Sequence, residues 1–228
     1  MCALYELKLA AEKLAKGLGI TQLPPEPLPE LFTARPSHQM PIVRADAPEA
    51  LSLARWGLLT PWAIEEKEGN KLFNARAETL AEKPSFAKPL ATGQRCLIPL
   101  TTFTEWLTQP DGTKQPYQVS AEGETFFTVA GLFAVWKHPQ TGAPVLSYTM
   151  ITTAANPQMD WLHGRMPLVL APEVRSLWLA QTADPKEIGM LLQGEVAQPL
   201  VFEPLALPEK PTKPIKPPKG GGQLDLFG

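Results

Sequence analysis

Cys2 directly follows the initiator methionine and is one of only two cysteines in the 228 residues. Methionine is normally removed before a small side chain, so Cys2 would then carry an α-amine and a thiol on adjacent carbons. An α-amine has a reference pKa of about 7.7–8.0, so a sizeable fraction is neutral near pH 7 and can attack an aldehyde to form an imine. The thiol can then add to the imine carbon and close a five-membered thiazolidine ring. An N-terminal cysteine can also act as the nucleophile in amide hydrolysis, and the residue alone leaves both chemistries open.

The composition excludes several functional classes. A net charge of −2 gives no overall signal for nucleic acid, so any DNA contact must come from a local patch. Two distant cysteines indicate a reduced compartment rather than a disulfide framework, and the three histidines lack the spacing of metal ligands. Charges such as Lys8 and Glu12 interrupt the N-terminal apolar run, which argues against a signal peptide. We therefore expect a cytoplasmic protein with no cofactor, no metal and no membrane association.

Helix signals occur at three places. Residues 4–17 place leucines and alanines at helical spacing and predict an amphipathic helix that ends at Gly17 or Gly19. Two later segments combine a capping residue, a proline at the first helical position and a glycine just past the end. These are "NPQMDWLHG", with Asn156, Pro157 and Gly164, and "DPKEIGMLLQG", with Asp184, Pro185 and Gly194.

Strand signals dominate the middle of the chain. Residues 23–29 form a proline-rich connector that cannot be helical. Between residues 95 and 170, short β-branched and aromatic runs predict strands, and Asp111-Gly112 predicts a hairpin turn. The sequence therefore predicts the α+β class, with a single mixed domain over residues 1–205 that has a β-rich core and no internal repeat.

The last residues differ in composition from this domain. Residues 206–222 are rich in proline, lysine and glycine, which predicts a disordered C-terminal tail. Four lysines recur at every third position, so in a polyproline II helix they would line one edge; they are Lys210, Lys213, Lys216 and Lys219. A soluble spacer and a basic edge that contacts a DNA backbone both fit this pattern.

The chain ends in a short apolar peptide behind three glycines. This layout is typical of a linear motif that docks apolar anchors into a groove. The peptide resembles the pentapeptide by which bacterial proteins bind the replicative sliding clamp, which implies the clamp as a partner. The implied clamp-binding residues are Gln223, Leu224, Asp225, Leu226 and Phe227. The alternative is that this segment packs back on the domain as an extra strand.

Several blocks along the chain resemble one family. Met1-Cys2 is followed in family order by "RWGLLTPWA", "NKLFNARAETLAEKPSF", "RCLIP", "FTEW" and "HGRMPLVL", at residues 55–63, 70–86, 95–99, 103–106 and 163–170. Together they resemble the SRAP (SOS response-associated peptidase) family. The resemblance implies a SRAP-like domain that covalently captures abasic sites in single-stranded DNA, as part of the DNA damage response at replication forks.

The resemblance also implies roles for four residues. Cys2 matches the nucleophile that forms the thiazolidine, and Asn74 matches the asparagine that orients it. Glu105 and His163 match the acid and the histidine that assist sugar ring opening and proton transfer. The alternatives are an Asn74 in a plain turn, a Glu105 that points to solvent by strand alternation, and a His163 that only caps the 156–163 helix. In that helix, the negative C-terminal end would favour the imidazolium form of His163.

A DNA-binding surface follows from the same resemblance. Arg76 and Arg165 match arginines that hold phosphates. Trp62 is the candidate for stacking on a base beside the lesion, although a core tryptophan fits the sequence equally well. Arg35 and Pro36 fall where the family has a DNA-facing loop. Glu78 is interpreted as structural, and Cys96 as a buried small hydrophobe.

The first residues depart from the family pattern. Many members begin Met-Cys-Gly-Arg, and the arginine contributes to the DNA surface, whereas Ala3 and Leu4 follow Cys2 here. Arg44, Arg55 or the tail lysines are candidates to supply the missing charge.

The sequence leaves three functions open. The first is abasic-site capture, the second is an N-terminal-cysteine peptidase or amidase, and the third is a non-catalytic DNA-binding adaptor of the sliding clamp. The joint occurrence of aminothiol, acid, amide and histidine favours the first. We expect a monomer, associated with the nucleoid or replication fork, whose partners are abasic single-stranded DNA and the clamp.

Overall fold

The computed structural model describes residues 2–193 and 198–206. The predictions for the tail, including its linker, its lysines and its clamp-binding peptide, lie outside the described residues, as does Gly194. Within the described residues, no helix is long and apolar enough to span a membrane.

Strands dominate the described part of the chain. Its strands are β1 (Tyr5–Lys8), β2 (Leu31–Ala34), β3 (Gln39–Arg44), β4 (Ala47–Trp56), β5 (Asn74–Arg76), β6 (Arg95–Leu100), β7 (Thr102–Thr108), β8 (Lys114–Ala121), β9 (Phe127–Lys137), β10 (Pro144–Ala154), β11 (Arg165–Pro167), β12 (Val169–Leu170) and β13 (Leu200–Pro204). Its α-helices are α1 (Ala11–Leu18), α2 (Pro84–Ala91), α3 (Arg175–Leu179) and α4 (Pro185–Gln193). Short 3-10 helices cover Glu66–Lys71, Ala77–Thr79 and Pro172–Val174.

The strands form two sheets that share one core. Over the described residues, one sheet has five strands in the order β13-β8-β7-β1-β2, and the other has eight. In the larger sheet, β10, β4, β3, β6 and β9 follow one another, and a further pairing of β9 with β10 closes these strands into a barrel. The α+β class and the β-rich core are confirmed, as is the β7–β8 hairpin around Asp111-Gly112.

The prediction of a helix over residues 4–17 is wrong in its first half. Tyr5 and Leu7 are buried, whereas Glu6 and Lys8 are not, so the segment alternates with the period of a strand. It pairs with β2 and β7, and the helix begins only at Ala11. The end was predicted correctly, because Gly19 closes α1 in the left-handed conformation.

The predicted helix over residues 156–163 is also wrong. The segment folds as a series of turns, although the Asn156 side chain does accept a hydrogen bond from the Met159 backbone N–H at 3.1 Å. The helix-dipole argument for His163 therefore falls. The other late helix is confirmed as α4, and the Asp184 carboxylate accepts from the Lys186 N–H at 2.8 Å at its start.

Two glycines allow the chain to cross itself beside β4. Gly57 has a φ of +121°, and a Cβ at Gly57 would lie 2.5 Å from the carbonyl oxygen of Gly69. Arg55 supports this crossing: it is 4% exposed, and its guanidinium donates to the Gly57 carbonyl at 3.1 Å and to the Asn70 side chain. The suggestion that Arg55 offers charge to DNA is therefore wrong, because its guanidinium is buried. Arg44, another candidate, is paired with Asp46 at 2.7 Å.

Candidate active site

Cys2 lies at the point where the two sheets meet. Its side chain is 1% exposed. The Asn74 side-chain amide donates to the Cys2 carbonyl at 2.7 Å, and the Cys2 thiol lies 3.5 Å from the Leu4 carbonyl oxygen. The residue that follows the initiator methionine is therefore held by a side chain from a strand 72 residues away, rather than left to fray as most termini are.

Asn74 is placed by strand β5, not by a turn. It stands opposite Met150 in the parallel β5–β10 pair, and the Met150 N–H donates to the Phe73 carbonyl at 2.9 Å. The ladder fixes the backbone of Asn74, and the hydrogen bond to the Cys2 carbonyl orients its side-chain amide. Its Oδ1 atom is buried and has no hydrogen-bond partner among the described residues. A buried acceptor of this kind is available to a group that enters the site.

Glu105 comes from the smaller sheet. It lies in β7 and is 3% exposed, so the reading in which it points to solvent is wrong. Tyr5 pairs with Phe103, and the Thr104 N–H donates to the Leu4 carbonyl at 2.9 Å. This register carries the N-terminus along β7 toward Glu105. Burial raises the pKa of the Glu105 carboxyl, and the positive charge of His163 is among the effects that oppose the rise.

His163 ends the turn segment and begins the approach to β11. Its Nδ1 atom lies 3.0 Å from both the backbone N–H and the carbonyl oxygen of Arg165. Neutral Nδ1 can accept from the N–H, and protonated Nδ1 can donate to the carbonyl. The ring therefore has a backbone partner in either protonation state, which suits a group that takes up and releases a proton.

The electrostatics of the site favour neutral groups. Burial raises the pKa of the Cys2 thiol well above its ordinary value, and the Glu105 charge raises it further. The thiol is thus held as S–H, and the carboxyl binds its proton more readily than an exposed one. A site with an acid of raised pKa beside a protonated thiol can donate a proton to one group and accept one from another.

Two tyrosines beneath the site were not predicted. The Tyr5 and Tyr148 hydroxyls lie 2.5 Å apart, and both side chains are fully buried. Trp56 packs edge-on against Tyr5 and parallel to Tyr148, with centroids at 4.9 and 6.5 Å. The pair ties β1, which follows Cys2 in the chain, to β10, which pairs with β5, the strand of Asn74. Alternation at residues 5 and 7 was the available signal, but the helical reading of residues 4–17 obscured it.

The predicted DNA-binding residues differ in their surroundings. Trp62 is 58% exposed, so the core reading is wrong, and Arg76 is exposed at the end of β5. Pro36 is partly buried in the loop between β2 and β3, where the Ser37 N–H donates to the Trp56 carbonyl at 2.7 Å. Arg35 in the same loop is exposed.

Arg165 is the predicted phosphate ligand whose guanidinium is already engaged. It forms two hydrogen bonds with Glu78, at 2.6 and 3.0 Å, and donates to the Thr152 carbonyl at 2.7 Å. Glu78, which we interpreted as structural, thus pairs with Arg165. Cys96 is confirmed as a fully buried residue of β6. Over the described residues, no group of three or more acidic, histidine or cysteine side chains could hold a metal ion.

Comparison with known proteins identifies the family. The sequence model of the family described as SOS response associated peptidase (SRAP) matches residues 1–206. The chain therefore belongs to the SRAP family. Abasic site processing protein YoqW of Bacillus subtilis is 38% identical over 196 residues, which is 85% of this chain and 87% of YoqW. Abasic site processing protein HMCES of Xenopus tropicalis is 36% identical over 157 residues, which is 59% of this chain and 47% of HMCES.

Solved structures agree with the fold. A protein from Bordetella bronchiseptica superposes with a TM-score of 0.77 at 25% identity, over 90% of this chain and all (100%) of that chain. A protein from Bacteroides thetaiotaomicron superposes with a TM-score of 0.75 at 25% identity, over 88% of this chain and 91% of that chain.

Proposed function

We propose that this protein captures abasic sites in single-stranded DNA through a thiazolidine formed by Cys2 after Met1 is removed. The observation that carries the proposal is the hydrogen bond of 2.7 Å from Asn74 to the Cys2 carbonyl, at a site that also holds Glu105. The relatives named abasic site processing proteins support the substrate.

The chemistry balances without a cofactor. The Cys2 amine attacks the aldehyde carbon of the open-chain sugar, and the carbonyl oxygen leaves as water with the two protons of the amine. The thiol sulfur then bonds to the imine carbon, and the thiol proton passes to the ring nitrogen. The product is a thiazolidine, and one water is released for each adduct. The amine attacks first and the thiol adds second, because the carbon to which the sulfur bonds is that of the imine.

Glu105 and His163 carry the protons in this series of reaction steps. An acid with a raised pKa can give a proton to the ring oxygen as the sugar opens and can relay the thiol proton in the closing step. The charge of His163 opposes the rise in the Glu105 pKa, and Nδ1 of His163 has a backbone partner in both protonation states. Asn74 holds the Cys2 backbone so that amine and thiol face the same carbon.

The DNA strand is held by contacts that do not depend on its base sequence. Arg76 and Trp62 are exposed and suit phosphate and base stacking, respectively. Arg165 would hold a phosphate, with its guanidinium oriented by the hydrogen bonds to Glu78. The loop of Arg35 and Pro36 would border the DNA strand. The tail peptide from Gln223 to Phe227 would recruit the protein to the replicative sliding clamp, with the lysine-rich linker as its tether.

The test of capture is the formation of a covalent adduct. An oligodeoxynucleotide that contains uracil is treated with uracil-DNA glycosylase, incubated with the protein and separated on a denaturing gel. We expect a shifted, denaturation-resistant band with the wild-type protein and none with Cys2→Ala. A matched Cys96→Ala variant should retain the band, since Cys96 is buried in β6. An equal band from Cys2→Ala would contradict the thiazolidine.

The same protein separates the other two functions. Turnover of peptide substrates without DNA, dependent on Cys2, would favour a peptidase. Clamp binding with no adduct in any condition would favour a non-catalytic adaptor. A tail peptide without saturable binding to the clamp would remove the recruitment proposal and leave the capture chemistry in place.

A further inference from the structure

Three aromatic side chains form a cluster that the capture chemistry does not use. Trp161 contacts Tyr117 and Phe202 edge-on, with ring centroids 5.1 and 5.4 Å apart and interplanar angles of 90° and 63°. Trp161 is 48% exposed, and the other two rings are partly exposed. We call these three residues the aromatic shelf.

The aromatic shelf is continuous with the active site. Tyr117 stands directly opposite Glu105 in the β7–β8 pair, so both side chains lie on the same face of the sheet. Phe202 stands opposite Val119, two residues from Tyr117, and therefore lies on that face as well. Trp161 precedes His163 by two residues. The shelf thus begins at the proposed acid and extends outward across β8 and β13.

The turn that carries Trp161 is fixed before any ligand arrives. The Gln158 side chain accepts from the Leu200 N–H at 2.9 Å and donates to the Gln198 carbonyl at 3.4 Å. Met159 in the same turn is fully buried. A large ring that is held in place yet half exposed presents apolar surface at little further cost in conformational entropy, which is a property of binding residues.

We propose that the aromatic shelf stacks the base of a nucleotide next to the abasic nucleotide, with Trp161 as the main stacking surface. The inference rests on the proposed function. An abasic nucleotide offers no base, so binding energy must come from its neighbours and its backbone. Stacking on an aromatic ring is tolerant of sequence, as a lesion sensor requires. The aromatic shelf is separate from Trp62, which lines a cavity with Leu59 and with Val135 of β9, in the larger sheet.

The test compares binding to two oligodeoxynucleotides in a Cys2→Ala background, where no adduct forms. Both carry the stable tetrahydrofuran analogue of an abasic site; in the second, the flanking nucleotides are replaced by the same analogue. Trp161→Leu keeps apolar packing against Tyr117 and Phe202 but removes the stacking surface. We expect it to lower affinity about tenfold for the first oligonucleotide and hardly at all for the second. Trp161→Phe should retain most of the affinity.

Two results would overturn the proposal. An equal loss on both oligonucleotides would assign Trp161 a packing role, and no loss on either would show that the base does not contact the shelf. If thermal melting shows that Trp161→Leu is not folded at the temperature of the binding assay, Phe202→Leu replaces it in the same comparison. The proposed function fails separately: flank-dependent binding by the Cys2→Ala protein, without any adduct from wild type, would refute capture and leave the shelf supported.

Discussion

At the scale of single residues, the site combines groups whose environments favour their neutral forms. Cys2 is buried as a thiol, and Glu105 is buried with a raised pKa. At neutral pH, water would favour the charged form of the Glu105 carboxyl, so its burial costs stability. Such a cost is common where a protein prepares groups for proton transfer. Asn74 adds the direction, since its amide fixes the backbone of Cys2.

The variant Glu105→Gln separates the chemical role of this carboxyl from the stability that its burial costs the folded protein. A buried acid with a raised pKa stabilises the fold least at high pH, because the folded protein holds its proton more tightly than the unfolded chain does. The stability of the wild type should therefore fall as the pH rises above the ordinary carboxyl range. We expect Glu105→Gln to lose this decline, with a higher melting temperature than wild type at neutral pH, while adduct formation slows by at least tenfold.

The measurement is thermal melting and initial adduct rate across a pH series. Glu12→Gln, at an exposed position of α1, is the matched control and should follow the wild type in both. A variant with wild-type adduct rates at every pH would remove Glu105 from the mechanism.

At the scale of elements, strand β1 determines where Cys2 lies. It is only four residues long, yet it pairs with β2 and β7 and is tied to β10 by the Tyr5–Tyr148 hydroxyl pair. A short strand of this kind would fray without tertiary anchors. The geometry of Cys2 therefore depends on contacts several residues downstream.

A double-mutant cycle tests this anchor. Tyr148→Phe leaves the buried Tyr5 hydroxyl without its partner, which we expect to cost about 1–3 kcal/mol of unfolding free energy. Combining it with Tyr5→Phe removes both polar groups and should recover most of that loss. Urea unfolding measures all four proteins. Strictly additive losses would show that the two hydroxyls do not act as a pair.

The crossing of Gly57 and Gly69 is a second element-level constraint. Gly57→Ala would place a methyl group 2.5 Å from the Gly69 carbonyl oxygen at a φ of +121°. We expect a loss of several kcal/mol, or no folded protein. Gly189→Ala is the control, since α4 has open space there, and it should stabilise by about 0.5–1 kcal/mol. The comparison is made by denaturant unfolding, and a folded Gly57→Ala protein of wild-type stability would contradict the crossing.

At the scale of the whole molecule, four distant parts of the chain meet at one place. Residues 2, 74, 105 and 163 come from the N-terminus, β5, β7 and the turn before β11. The strand runs, the β7–β8 hairpin and α4 could be predicted because their local patterns are strong. Residues 4–8 could not, since a short apolar run fits both periods and only pairing with β2 and β7 selects the strand. Helix signals at Asn156 were equally misleading, because the turn is docked on β13 through Gln158.

The candidate site follows from motifs in the sequence, and its environment does not. Sequence placed Cys2, Asn74, Glu105 and His163 in one family pattern, but the burial of Glu105 and the ion pair of Arg165 with Glu78 depend on packing between elements far apart in the chain. The aromatic shelf likewise joins residues from β8, β13 and a turn, which no local pattern connects.

The central claim is that Cys2 becomes the first residue and bonds to the abasic sugar through both nitrogen and sulfur. Intact mass spectrometry of the purified adduct, followed by digestion to the N-terminal peptide, tests it most directly. The claim predicts a mass equal to the Met1-free chain plus the abasic oligonucleotide minus one water, carried on the peptide that begins at Cys2. An adduct that retains Met1, or one that maps to a lysine, would contradict it.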